Sequence, residues 1–163
     1  GIEFFVERIL PILQKAIPSV ELWVAGPNEG ALSFALNPPS GVRVLGFVDN
    51  LDELYSQVAA VICPILSGGG TRIKVIEAAS YGMPIISTRI GAEGIELENG
   101  SEILIGDKPA AFANACARVL TDPGLASRIG SAARRVAMER YDRIVTIERL
   151  AAEFRKVAEM ETY

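Results

Sequence analysis

The sequence predicts an α/β protein, a doubly wound parallel sheet with flanking helices. Three observations carry that reading. Short apolar segments alternate with helix-period segments along most of the chain, and helices close it. The runs 58–65 and 84–87 are apolar without alternation, as in strands covered on both faces. A bare glycine turn, Ser67-Gly68-Gly69-Gly70-Thr71, stands where one such run gives way to a helix.

The elements follow in order. Residues 2–16 place Ile2, Phe5, Val6, Ile9, Leu10 and Leu13 at helical spacing. Pro11 lacks an N–H and crowds the Glu7 carbonyl, so a kink or loosened turn is expected near Glu7. Pro18-Ser19 ends this helix. Residues 20–25 read as a strand closed by Gly26-Pro27-Asn28-Glu29-Gly30, and residues 31–40 as loop. Residues 42–45 are the next strand, followed by Gly46-Phe47-Val48. Asp49 or Asn50 caps a short helix with Leu51, Leu54 and Tyr55 on one face. The run 58–65 is a buried strand. A helix over about 71–81 ends at Gly82, and 84–87 is another buried strand. Gly91-Ala92-Glu93-Gly94 is a loop and 102–105 the last strand. Asp107 is expected to cap a helix over about 109–120, with Pro109 in its first turn. Asp122-Pro123 opens another, reaching about Tyr141, and a final helix runs from about 143 to 160.

No repeat, low-complexity tract or long linker interrupts this order, so residues 1–163 are read as one domain. The chain opens on a helix, where a doubly wound half of this kind normally opens on a central strand. The sequence is therefore expected to begin just after that strand, and the missing initiator Met fits a fragment or processed product.

Composition narrows the function. Half of the 163 residues are hydrophobic, enough for a core, and no run is long enough to span a membrane. The net charge of −4 argues against a general nucleic-acid binder. There is no histidine, which removes the usual general base and the commonest metal ligand; no metal and no cofactor are expected. Cys63 and Cys116 sit in apolar settings and read as buried core residues, consistent with a reducing cytoplasm. Arg128, Arg134, Arg135, Arg140 and Arg143 read as a solvated helix surface; attraction to the inner membrane face is the alternative.

The glycine turn is the main candidate site. Adjacent glycines let the backbone approach a ligand closely, and a helix start offers free N–H groups to an anion. Gly69, Gly70 and Thr71 are the candidate phosphate contacts, with Thr71 either capping the helix or donating its hydroxyl. The spacing is not that of a Walker A loop, and a plain strand-to-helix turn is the alternative. Glu77 lies among apolar and small residues on the following helix. It accepts from a ribose diol, or it is a surface carboxylate paired to Arg72 or Lys74; the residues leave both open. Arg72 and Lys74 are cations near a helix start, which suits an anion there or plain solvation. Phe47 and Val48 make an apolar slot for a base, or Phe47 is simply core.

From Val42 to about Tyr141 the chain resembles the C-terminal domain of GT-B glycosyltransferases, the family-4-like group 1 transferases. The resemblance rests on Val44-Leu45-Gly46-Phe47-Val48, Cys63-Pro64, Gly69-Gly70-Thr71-Arg72-Ile73-Lys74-Val75-Ile76-Glu77-Ala78, Gly82-Met83-Pro84-Ile85-Ile86-Ser87-Thr88 and Gly91-Ala92-Glu93-Gly94-Ile95. Val24-Ala25-Gly26-Pro27 also fits. It implies a Rossmann-like fold and a donor-binding domain, one part of a larger enzyme that moves a sugar from a nucleoside diphosphate (NDP) sugar to a hydroxyl acceptor. The acceptor would be held mainly by an N-terminal domain, and donor binding would need no metal. Glu77 matches the second Glu of the family's Glu-x7-Glu motif, which binds the donor ribose. The first Glu, which contacts the donor sugar, would fall at Gly69, where this chain departs from the pattern. The alternatives are an NDP-sugar epimerase of the same architecture and a non-catalytic α/β module.

Overall fold

The computed structural model describes residues 1–27, 30 and 32–160. Asn28 and Glu29, in the turn expected after the first strand, and Ala31, at the start of the expected loop, lie outside the described residues. Residues 2–16 form one helical run, α1, in three parts: α-helix over Ile2–Phe4, a π-helical segment over Phe5–Ile9 and α-helix over Leu10–Ala16. The loosened turn expected from Pro11 is this π segment. The Leu10 N–H reaches back to the Phe5 carbonyl, the longer i to i−5 step that relieves a proline's clash.

The strands are β1 (Leu22–Ala25), β2 (Val42–Gly46), β3 (Val61–Cys63), β4 (Ile85–Ser87) and β5 (Leu104–Ile105). The helices after α1 are α2 (Leu51–Gln57), α3 (Ile73–Ser80), α4 (Pro109–Thr121), α5 (Pro123–Arg140) and α6 (Arg143–Met160). Asn50 caps α2 by accepting from the Glu53 N–H, and Asp122 caps α5 by accepting from the Leu125 N–H. At the end of α3, Gly82 takes φ 72°. Its N–H bonds the Ala79 carbonyl while Met83 N–H bonds Ala78, which closes a Schellman motif.

Two capping expectations fail. Lys108, not Asp107, is the N-cap of α4. Asp107 instead accepts from the Arg89 N–H (2.8 Å) and pairs with its guanidinium, so its carboxylate serves a neighbouring loop. The α3 helix starts at Ile73, so Thr71 and Arg72 lie in the preceding turn and Thr71 is not its cap. The apolar run 58–65 yields only three strand residues, because Val58 ends α2 and Pro64 cannot donate to a ladder.

Every pairing among the described strands is parallel. Successive side chains of a strand face opposite sides, and two cores result. Ile86 and Leu104 join Phe5, Ile9, Leu13 and Phe112 on the α1/α4 side. Ile85 and Ile103 join Val75, Ala78, Met83 and Ala133 on the α3/α5 side. That is the doubly wound class expected. Gly130 of α5 rides directly on the Gly82 carbonyl and has no room for a Cβ, which seats α5 over the end of α3.

The strands nevertheless fall into two sheets, β1–β2 and β3–β4–β5. Between the edges of β1 and β3 lies a cavity of about 640 Å³, lined by residues of both strands and by Phe5, Leu13, Tyr55 and Val58. Among the described residues no helix is long and apolar enough to cross a membrane.

Candidate functional site

Parallel strands put all their carboxyl ends on one edge, and ligands of open α/β sheets bind there. On this edge lie the turn after β1, Gly46-Phe47-Val48 after β2, the glycine turn after β3 and the Thr88–Gly94 segment after β4. The Asn28 expected here lies outside the described residues.

The glycine turn is open. Gly68 and Gly70 take φ of 111° and 92°, which a side chain would strain. A Cβ added at Gly68, Gly69 or Gly70 would meet nothing within 4 Å. Among the described residues, none of the backbone N–H groups of residues 68–72 finds a protein acceptor. Arg72 sets their direction. Its guanidinium donates to the Gly68 carbonyl (2.6 Å), the Gly69 carbonyl (2.9 Å) and the Ile90 carbonyl (3.4 Å). In a trans peptide the N–H points opposite to the C=O. Holding the Gly68 and Gly69 carbonyls therefore turns the Gly69 and Gly70 N–H groups away from the arginine. The sequence offered Arg72 as a phosphate charge or a solvated cation, and missed this backbone-shaping position.

A second tie braces the same loops. The Thr88 hydroxyl donates to the Ile65 carbonyl and accepts from the Gly91 N–H (2.9 Å). Gly91 packs against the Cys63 carbonyl and Ser87 Oγ with no space for a side chain. The segments after β3 and β4 are thus one braced frame.

Glu77 lies one turn inside α3, about 6 Å along its axis from Ile73. Its carboxylate is half-buried, and Oε1 accepts from the Tyr55 hydroxyl at 2.6 Å. It forms no ion pair with Arg72 or Lys74 among the described residues. Burial, and then the Glu77 carboxylate, push the Tyr55 phenol well above its ordinary value, so it stays a donor. The Tyr55 ring stacks on Tyr81 at 4.2 Å, and the Tyr81 hydroxyl donates to Asp52 at 2.7 Å. The sequence placed Tyr55 on the apolar face of α2 and missed its role. The available signal was that a phenol on a buried face needs an acceptor.

Lys74 is exposed and lines the same cavity as Glu77 and Tyr55. Phe47 is 70% exposed, so it is not core; it follows Gly46 at φ 66° and presents its ring at the sheet edge beside half-buried Val48. Cys63 and Cys116 are buried and unpaired, and burial pushes the Cys116 thiol up to about 12.

All-parallel strands flanked by helices, with their loops gathered at the carboxyl ends, define a Rossmann-like α/β domain. The family model "Glycosyl transferases group 1" matches residues 1–122, and the chain belongs to that family. Its architecture is that of the C-terminal domain of GT-B members. A D-inositol 3-phosphate glycosyltransferase of Streptomyces bingchenggensis is 33% identical over 87 residues, covering 52% of this chain and 19% of its own length. Anabaena HepE in complex with UDP and glucose superposes with a TM-score of 0.73 at 20% identity, over 92% of this chain and 44% of that one. Sucrose-phosphate synthase of Thermosynechococcus elongatus gives a TM-score of 0.75 at 21% identity, over 98% of this chain and 43% of that one. The chain thus spans less than half the length of each of these relatives.

Proposed function

We propose that residues 1–163 are the donor-binding domain of a glycosyltransferase, which moves a sugar from an NDP-sugar to a hydroxyl acceptor. The observation that carries this is the open run of N–H groups at residues 68–72, unpaired among the described residues, with those of Gly69 and Gly70 turned outward by Arg72, and followed by a half-buried carboxylate. In this reading the amides of Gly69, Gly70 and Thr71, with the start of α3, hold the diphosphate without a metal. Arg72 shapes the turn and Lys74 adds charge beside it. Glu77 accepts from the ribose, oriented by Tyr55, and Phe47 and Val48 face the base. The HepE complex with UDP and glucose and the inositol phosphate transferase support the substrate class.

The bond between the sugar's anomeric carbon and the diphosphate breaks, and its electron pair leaves on the diphosphate. The acceptor oxygen bonds the same carbon and yields its proton to a base on the acceptor side. The domain's contribution is to stabilise the leaving charge with fixed N–H dipoles. The acceptor itself is held mainly by another domain. The two free, buried cysteines support a reducing, cytoplasmic setting.

Calorimetric titration with UDP, GDP, ADP and inorganic pyrophosphate tests the reading. One nucleoside diphosphate should bind in a saturable way and more tightly than pyrophosphate. Silence from all four, with a folded sample, overturns it. Tyr55→Phe removes one neutral-donor bond and frees the Glu77 carboxylate to turn. It should lower nucleoside diphosphate affinity by roughly 2- to 12-fold, from ~0.5–1.5 kcal/mol. Pyrophosphate binding should not move; an equal loss for both would separate Tyr55 from the ribose.

A further inference from the structure

We propose that Tyr81 and Asp52 are positioning residues for nucleoside recognition: the hydrogen bond between them fixes α2, and with it Phe47 and Val48, relative to Glu77. This role rests on the donor-site reading above. The helix concerned is lightly held. None of the α2 residues is buried; Leu51, Leu54 and Tyr55 are half-buried and the rest are exposed. Among the described residues, two hydrogen bonds tie α2 to another element, and they are reciprocal. Tyr55 of α2 donates to Glu77 of α3 at 2.6 Å. Tyr81, the C-cap of α3, donates back to Asp52 of α2 at 2.7 Å. Asp52 and Tyr55 stand one turn apart on α2, as Glu77 and Tyr81 do on α3. Each helix thus offers one phenol and one carboxylate, and the two rings stack with centroids 4.2 Å apart and planes at 25°.

The two ties differ in what a donor asks of them. Glu77 would receive the ribose on the same carboxylate that holds Tyr55; its Oε2 has no protein donor among the described residues. The Tyr81–Asp52 bond involves no group assigned to the ligand, so it holds α2 whether the site is full or empty. Without it, α2 is left to pivot about Tyr55.

The base side moves with α2. Residues 47–49 make no hydrogen bond among the described residues. They hang between Gly46, whose carbonyl accepts the Gly26 N–H at 2.7 Å, and Asn50, which caps α2. Phe47 is exposed, so no core fixes its ring. The place of Phe47 and Val48 is therefore set by the two ends of this span, β2 at one and α2 at the other. A nucleoside reaches from them to Glu77 only at one separation, and the second phenol–carboxylate bond sets it.

The test uses Tyr81→Phe, Asp52→Ala, Asp52→Asn and the double variant of the first two. Both altered side chains are exposed, so neither change opens the core. Calorimetry is run on the full chain with UDP, GDP, ADP, and two probes without a base, ribose 5-diphosphate and inorganic pyrophosphate. Tyr81→Phe and Asp52→Ala should each weaken the tightest-binding nucleoside diphosphate roughly 2- to 12-fold, as for one modest hydrogen bond. Both baseless probes should stay within about twofold of wild type, which a general loss of folded protein would not allow. Asp52→Asn keeps an acceptor for Tyr81 and should recover part of the loss. The double variant should be no worse than either single one, because both remove the same bond. Unchanged nucleoside diphosphate affinity overturns the proposal, as do equal losses for the baseless probes, no recovery with asparagine, or additive losses. A wild type that binds none of the three nucleoside diphosphates overturns the donor-site reading and this role with it; a wild type that binds, with variants that match it, overturns this role alone.

Discussion

Replacing Glu77 with alanine is expected to weaken nucleoside diphosphate binding by roughly 150- to 25,000-fold, from about 3–6 kcal/mol in lost ribose contacts, while pyrophosphate binding stays within about twofold. The size follows from the acceptor. Each hydrogen bond to an ionised carboxylate contributes ~1.5–3 kcal/mol, and a ribose diol offers two. The split follows from geometry. Glu77 stands one turn inside α3, behind the amides of residues 68–72, and the only hydrogen-bond donor to its carboxylate among the described residues is Tyr55. An anion held by the turn alone has no reason to sense that carboxylate. Calorimetry with both ligands on both proteins measures the difference. Parallel losses would mean that Glu77 supports the turn's shape, and the ribose assignment would fall. Glu77→Gln separates charge from shape. It keeps an acceptor oxygen, so it should fall between the wild type and alanine.

Phe112→Ala is expected to destabilise the fold by about 3–5 kcal/mol, the range for a large buried aromatic whose site relaxes only in part. Phe112 is fully buried at the centre of the α1/α4 core. Its ring meets Phe5 edge to face, with centroids 5.7 Å apart and planes at 75°. Gly106 lies against its backbone with no room for a Cβ, so the start of α4 cannot slide inward to fill the space. Urea unfolding should show the midpoint fall with little change in slope. A loss below about 1 kcal/mol would mean that the core collapses onto the hole. Phe112 belongs to the α1/α4 core, which includes none of Gly69, Gly70, Thr71, Glu77 and Phe47. The folded fraction should therefore bind nucleoside diphosphates with wild-type affinity, which distinguishes this effect from that of Glu77.

Helical spacing, apolar runs without alternation and Gly/Pro punctuation made the element order legible. They report which face of each segment is buried, and that depends on local spacing. The caps were legible where one side chain decides them, at Asn50 and Asp122. Asp107 shows the limit. A carboxylate before a helix has several donors to choose from, and the chain fold put the Arg89 N–H nearer. The glycine turn and Glu77 stood out because their residue types are costly or unusual where they sit. Tyr55, the three carbonyls around Arg72 and the Thr88 tie did not. Tyr55 to Glu77, Thr88 to Ile65 and Arg72 to Ile90 join segments far apart in sequence, and even for the nearby Gly68 and Gly69 nothing in local spacing records which carbonyl a long side chain will reach. The split of the strands into two sheets was hidden for the same reason, since pairing is a property of neighbours and not of a strand's own residues.

Gly69 differs from its neighbours in the turn. Gly68 and Gly70 are bound to glycine by their φ values, but Gly69 carries no left-handed backbone and no neighbour would obstruct a side chain there. The fold places no demand on that position. Substitutions at residue 69 are therefore invisible to stability and visible only to whatever occupies the sheet edge. Evolution can change the group presented there in a single step without endangering the scaffold, and so can an engineer. The turn holds one freely variable position between two fixed ones, and ligand preference can drift there while the architecture stays constant.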